Sequence, residues 1–203
     1  MIELGGSILC LPTPPERSLV LVFELLREDT GVLVIDYQER LCGSMPEEVV
    51  ARNGKNVQRL LVLAQRLGLP MVVSEQYPQG LGPTVQPIAE HLTSEPIPKT
   101  AFSVVREPAV AAALEASGRK TWLVTGMETH ICVFQSVRDL VSLGYGVQVV
   151  ADAVVSRTQA NWNIGLDLMR SLGVTVTSTE TALFDLVGVG SGKVFKEVSR
   201  MIR

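Results

Sequence analysis

A chain of 203 residues can bury one sizeable core, and no compositional break divides it into two domains. Hydrophobic residues make up 46%, yet charge, glycine or proline interrupts every apolar run well short of a membrane span, which predicts a soluble protein with no membrane partner. Eighteen basic against 21 acidic residues, with 5% aromatics, leave no cationic track for phosphates and little surface to stack bases, so nucleic acid is excluded as a partner.

The N-terminal stretch "MIELGGSILCLPTPPERS" carries Glu3 where a targeting signal needs basic residues. Residues 1–23 read as a peripheral extension and residues 24–203 as the folded domain. The β-branched run "GVLVID" (31 to 36) predicts a strand. Helix-spaced Val49, Val50, Val57, Leu60, Leu61 and Ala64 follow it, opened by Pro46, Glu47 and Glu48 and closed by Gly68. "LPMVVSE" (69 to 75) predicts a buried strand, and the stretch rich in proline and glycine up to Lys99 predicts a loop.

A helix is expected over 107–118. After it come strand "KTWLVTG", helix "ICVFQSVRDLVSLG", strand "YGVQVVAD", a polar turn "AVVSRTQ", helix "ANWNIGLDLMRSLG", strand "VTVTS" and the closing "TETALFDLV". "GVGSGKV" (188 to 194) imitates a phosphate loop, but Val187 stands where its first glycine should be and Val194 where Ser or Thr should follow the lysine, so it reads as a joint before a last amphipathic helix. Apolar strands alternating with helices predict an α/β fold: a three-layer, doubly wound domain on a mostly parallel sheet. Such sheets bind ligands beyond the carboxyl ends of their strands.

Three residues of chemical interest fall at that rim. Cys132 follows "LVTGMETH", and with Thr129 as N-cap it sits in a first helical turn, where the dipole lowers a thiol pKa. Asp36 ends an apolar strand, where desolvation raises its pKa and suits it to accept a proton. Lys99, in the loop "PIPKTAFS", supplies a cation that would hold the two in register. Taken singly, each has an ordinary reading as a packed thiol, a turn former or a surface charge. Glu75 and Gln76 read first as solvated strand-end polarity, and His130, two residues before Cys132, as a capping or packing residue. The three cysteines, Cys10, Cys42 and Cys132, form no CxxC pattern, and His91 has no partner at ligand spacing. That usage suits a reducing, cytoplasmic setting.

The order "VLVIDYQERL", "SEQYPQGLGPT", "KTAFS", "GMETHICV" and "ADAVVSR" resembles the isochorismatase-like cysteine hydrolase superfamily, in its branch of small isochorismatase-domain proteins, from about Arg27 to the C-terminal helix. The resemblance implies a Rossmann-like six-stranded parallel sheet and a catalytic triad of Asp36, Lys99 and Cys132. It further implies a cis peptide at Met127–Glu128, an oxyanion hole from the backbone N–H groups of Glu128 and Cys132, and assembly as a homo-oligomer, dimer or higher. Tyr37, Gln76, Tyr77, Phe102 and His130 are the expected lining of a small-molecule pocket.

Two departures narrow the chemistry. Nicotinamidases of this superfamily hold a divalent metal with an aspartate and histidines near the second strand, whereas "SEQYPQGLGP" contains neither, so no metal and no other cofactor is expected. Isochorismatases proper lack a cysteine at the position of Cys132, so its presence favours acyl chemistry. The expected activity is hydrolysis of a small amide or related carbonyl compound through a thioester. The alternatives are a non-enzymatic scaffold on the same fold and a thiol redox protein in which Cys42 resolves Cys132.

Overall fold

The computed structural model describes residues 24–203, so the expected extension 1–23, with Cys10, lies outside the described residues. In chain order the elements are β1 (Thr30–Ile35), α1 (Glu39–Cys42), α2 (Glu47–Leu67), β2 (Met71–Gln76), α3 (Pro78–Leu81), α4 (Gln86–Ala89), β3 (Ile97–Lys99), α5 (Pro108–Ala116), β4 (Thr121–Met127), α6 (Phe134–Ser142), β5 (Gly146–Val155), α7 (Gln159–Ser171), β6 (Thr175–Thr177), α8 (Thr179–Val187) and α9 (Gly192–Met201). A 3-10 turn, Val104–Arg106, precedes α5, and a π-helical turn, Thr129–Val133, precedes α6.

The six strands pair in the order β3-β2-β1-β4-β5-β6, and every pair is parallel. Alternation along β1 shows why the sheet must be covered twice. Val32 and Val34 enter one apolar cluster with α2 and α8, while Leu33 and Ile35 enter a second with α5, α6 and α7. The strand order reverses at β1 and β4, so the crevice of this α/β sheet opens between their carboxyl ends. Among the described residues no helix is long and apolar enough to cross a membrane.

Local signals explain most boundaries. Helix α2 begins with Glu47 and Glu48 against its positive end. It stops at Gly68, whose left-handed conformation (φ 67°) lets its N–H reach the Ala64 and Gln65 carbonyls. Three sequence expectations need correction. The predicted loop up to Lys99 contains α3, α4 and the edge strand β3, elements of only three or four residues that leave no periodic signature. The predicted polar turn over "AVVSRTQ" is strand through Val155, because the partnering of β4 with β5 jumps from Val124–Val149 to Gly126–Val154 and β5 bulges between. Asn53, Asn56 and Trp162 donate to the carbonyls of Ala151, Asp152 and Val154, satisfying the bulged backbone. The third concerns Thr129 and is taken up with the site it borders.

Candidate active site

Asp36 is the first residue beyond β1 and is fully buried, with φ 51°. An aspartate tolerates that left-handed conformation better than a branched residue would. Gly126 of β4 lies alongside at φ 114°, and a Cβ there would collide with the Ile35 carbonyl, so only glycine lets the two strand ends close up. Ser74 of β2 donates its hydroxyl to Asp36 Oδ1 at 2.7 Å, and Lys99 Nζ stands 2.7 Å from Oδ2, both side chains of this ion pair being wholly buried.

Lys99 is not in a loop, as the sequence suggested, but is the last residue of β3. Its Nζ also donates to Gln76 Oε1 at 2.6 Å and to the carbonyls of Ala101 and Phe102 at 3.0 and 3.1 Å. Nζ therefore donates among four acceptors and leaves no face of the group open. Gln76 is thus tied to the buried cation rather than being mere strand-end polarity. It is held in turn by Gln38, whose side chain bonds both backbone groups of Gln76 (3.0 and 2.7 Å) and the Gly82 carbonyl (2.7 Å). Glu75 instead accepts from the N–H and hydroxyl of Thr84 at 2.6 and 2.7 Å.

Cys132 lies in the π-helical turn, 6% exposed, close enough to the Asp36 carboxylate for each to perturb the other's titration. The Met127–Glu128 peptide leading into that turn is cis. Thr129 makes no capping hydrogen bond with its side chain; the extended residue at the turn's start is Glu128, so the expected Thr129 cap is corrected. The turn is fixed by other means. Ser136 Oγ donates to the Cys132 carbonyl at 2.6 Å and accepts the Val104 N–H at 3.0 Å, while Glu128 holds the Arg157 backbone N–H and guanidinium at 3.1 Å.

The electrostatics differ from the expected depressed thiol. Burial pushes the Cys132 thiol up to about 12; the Asp36 carboxylate adds to the rise and the Lys99 ammonium opposes it. Burial likewise raises the Asp36 carboxyl, against the opposing pull of Lys99 and the hydrogen bond from Ser74. The partial positive end of one helical turn is too weak to outweigh desolvation at this depth. With the thiol raised this far, its proton rests on sulfur at neutral pH.

The expected lining residues divide. Tyr77 and Phe102 are 56% and 53% exposed and flank Lys99 through main-chain contacts, the Tyr77 N–H to the Lys99 carbonyl and Lys99 Nζ to the Phe102 carbonyl. His130 is half-buried, and its Nδ1 lies 3.0 Å from Ser156 Oγ. Tyr37, by contrast, fills the core under α2 with its hydroxyl donating to the Val50 carbonyl, because the left-handed turn at Asp36 directs the next residue inward. Beside the site, at the carboxyl end of β5, opens a cavity of about 430 Å³ lined by Arg52, Asn53, Asp152, Ser156 and Trp162; none of Asp36, Lys99 and Cys132 lines it. Cys42 and Cys132 are both free and pack into the two clusters on opposite faces of the sheet. Among the described residues no three His, Cys, Asp or Glu side chains gather as a metal site.

The family model for the isochorismatase domain matches residues 30–181, a span that holds Asp36, Lys99 and Cys132. The chain belongs to the isochorismatase family. It is 36% identical over 192 residues to isochorismatase domain-containing protein 1 of Salmo salar, covering 94% of this chain and 66% of that one, so it spans just under two thirds of that relative's length. A solved structure of MAR1 ribonuclease from Caenorhabditis elegans superposes with TM-score 0.81 at 32% identity, covering 88% of this chain and 92% of that one. YcaC of Escherichia coli, described as an octameric hydrolase of unknown specificity, shares the fold with TM-score 0.81 at 20% identity over 89% of each chain. Membership of the isochorismatase family and these superpositions agree on the α/β fold described above.

Proposed function

We propose that this isochorismatase-family chain is a cysteine-dependent hydrolase of small amides or related carbonyl compounds. The observation that carries the reading is the wholly buried Asp36–Lys99 pair at 2.7 Å with the Cys132 thiol electrostatically coupled to the same carboxylate. A buried ion pair gives little net stability, so its retention beside a thiol suits chemistry better than packing. Cys132 passes its proton to Asp36 while sulfur attacks the carbonyl carbon, and the backbone N–H groups of Glu128 and Cys132 receive the oxyanion. Asp36 returns that proton to the departing amine as the C–N bond breaks, leaving a thioester on Cys132. Water, deprotonated by Asp36, then releases the acid and restores the thiol. Throughout, Lys99 stays an ammonium and stabilises each negative state of the pair.

The substrate should be small and uncharged at the reacting end. Ribonuclease action, named for the C. elegans structure, needs a cation at the reacting phosphate, whereas the ammonium beside the Asp36 carboxylate, Lys99, is committed to that carboxylate. Exposed Tyr77 and Phe102 supply apolar lips at the mouth. The redox alternative is disfavoured by the sheet standing between Cys42 and Cys132, and a scaffold would have no use for the ion pair. The chain is also proposed to work as a homo-oligomer in the cytoplasm.

The deciding experiment exposes the protein to a panel of small amides, ureas and esters, quenches in acid and weighs the intact protein. An acyl adduct on Cys132 that disappears with hydroxylamine is expected; turnover with no adduct on that residue under any quench would reject the thioester route.

Ser74 gives a second check. Its hydroxyl favours the ionised form of Asp36, so Ser74→Ala raises the Asp36 carboxyl further, and the acid limb of kcat/KM moves to higher pH. Loss of a hydrogen bond to a charged group should cost about tenfold in rate on that limb. An unchanged pH profile with a uniform loss would assign Ser74 a purely structural role.

A further inference from the structure

Glu128 carries a buried carboxylate that the proposed chemistry does not use. It is 6% exposed, and among the described residues its side-chain hydrogen-bond partners all come from Arg157. The Arg157 backbone N–H meets Oε2 at 3.1 Å, and Nε stands 3.1 Å from each carboxylate oxygen. A buried charge is costly, and this one also opposes the nucleophile, since its field helps to raise the Cys132 thiol. Activation of Cys132 therefore does not explain it.

Sheet geometry brings the two residues together. β4 and β5 run parallel, and the bulge in β5 moves the pairing from Val124–Val149 to Gly126–Val154, so that Met127 stands opposite Val155 instead of Asp152. The two chains then leave the sheet side by side. β4 passes into the turn of Glu128, His130 and Cys132, while β5 passes into Ser156, which meets His130 Nδ1 at 3.0 Å, and Arg157, which holds the Glu128 carboxylate. Consecutive residues thus grip both sides of Thr129. The Glu128 carbonyl in turn accepts the Ile131 and Val133 N–H groups at 3.0 and 3.2 Å, so the placement of Glu128 sets the start of the turn that holds Cys132.

We propose that Arg157 is a positioning residue for the oxyanion site: by clamping the Glu128 carboxylate it fixes the direction of the Glu128 backbone N–H, and Ser156 steadies the same turn through His130. The inference rests on the thioester reading above, in which that N–H and the one of Cys132 receive the oxyanion. With both carboxylate oxygens tied and the side chain buried, the Glu128 torsions are locked and the peptide N–H cannot swing away from the reacting carbonyl.

Two reactions at the same sulfur separate this role from a structural one. Acylation by p-nitrophenyl acetate passes through an oxyanion: sulfur bonds to the carbonyl carbon, the thiol proton passes to Asp36, the ester C–O bond breaks and p-nitrophenolate leaves. Alkylation by iodoacetamide uses the same sulfur but builds no oxyanion, because iodide leaves directly. On the full chain at one mildly alkaline pH, the wild type should be acetylated on Cys132, read by p-nitrophenolate release and the mass of the Cys132 peptide. Arg157→Ala should keep the wild-type circular dichroism, since the arginine side chain is 54% exposed. Its acylation should slow by about a hundredfold, the cost of a displaced oxyanion donor. Its alkylation should change by no more than about threefold, the effect of the unmasked Glu128 charge on the thiol. Arg157→Lys, which returns the charge without the planar fork, should recover about tenfold of the lost acylation. Should Arg157→Ala not fold, Arg157→Met, closer in length, gives the same ratio of the two rates. The ester is uncharged, so an arginine that served only to grip a charged substrate would leave its acylation unchanged, and that result would overturn the proposal. Equal losses in both reactions would do the same by making Arg157 a structural tie. A wild type left unacylated at Cys132 would overturn the thioester reading and this inference together.

Discussion

Turnover of a small amide substrate is expected to fall by about four orders of magnitude or more in Cys132→Ala, the range seen when a triad loses its nucleophile. The prediction is sharper than for an exposed cysteine because the thiol is only 6% exposed and resting as the neutral acid. Substitution removes one sulfur atom and leaves the Asp36–Lys99 pair intact, so stability should change by only about 1 kcal/mol. Substrate should still bind, and KM-type saturation can be replaced by direct calorimetry on the inactive protein. Product release that survives the change would mean that Asp36 activates water directly and that Cys132 is packing.

The high thiol pKa carries a consequence for reagents. Alkylation of Cys132 by iodoacetamide should be slow near neutral pH, because the free thiolate is scarce and the proton moves only within the Cys132–Asp36 couple. Reactivity in the absence of substrate is therefore a poor measure of catalytic competence here. On the proposed mechanism, the site prepares a short proton transfer from Cys132 to Asp36, coupled to attack on a carbonyl.

The sequence made the sheet legible because its central strands are apolar on both faces and its long helices carry caps, as "GVLVID" and the run from Glu47 to Gly68 show. It left β3 hidden, since three residues with one proline cannot display alternation, and Lys99 consequently looked like part of a loop. Ser74 and Gln38 were missed for a different reason. A serine or glutamine at the end of a strand carries no pattern in one dimension, and only the parallel pairing of β1 with β2 puts Ser74 against Asp36 and Gln38 against Gln76. Tyr37 was misplaced because the left-handed turn at Asp36 reverses the side to which the next residue points, and an aspartate does not announce positive φ as a glycine does. The thiol was misjudged because a helix terminus can be read from sequence, whereas depth of burial cannot.

Lys99→Met should cost about 3–5 kcal/mol of folding stability near neutral pH, a large fraction of what a domain of this kind possesses. The substitution keeps the volume but leaves the buried Asp36 carboxylate, Gln76 Oε1 and the carbonyls of Ala101 and Phe102 without their donor. Its pH dependence follows from the sign of the Asp36 shift. Burial already raises that carboxyl, and Lys99 is the chief influence holding it down; without Lys99 it rises further. A carboxyl whose folded pKa lies above its unfolded value contributes its full stability below the unfolded value, and that contribution is lost as pH climbs through the folded one. The defect of Lys99→Met relative to wild type should therefore be smallest in acid, where Asp36 is protonated in both states, and should grow as pH rises. Combining it with Asp36→Asn should recover much of the loss at neutral pH, since no charge then remains buried, while leaving the protein inactive. Urea unfolding of wild type, Lys99→Met, Asp36→Asn and the double variant across the acid-to-neutral range measures each term. A penalty for Lys99→Met that stays constant with pH would show that Asp36 is not the group left exposed by the missing ammonium.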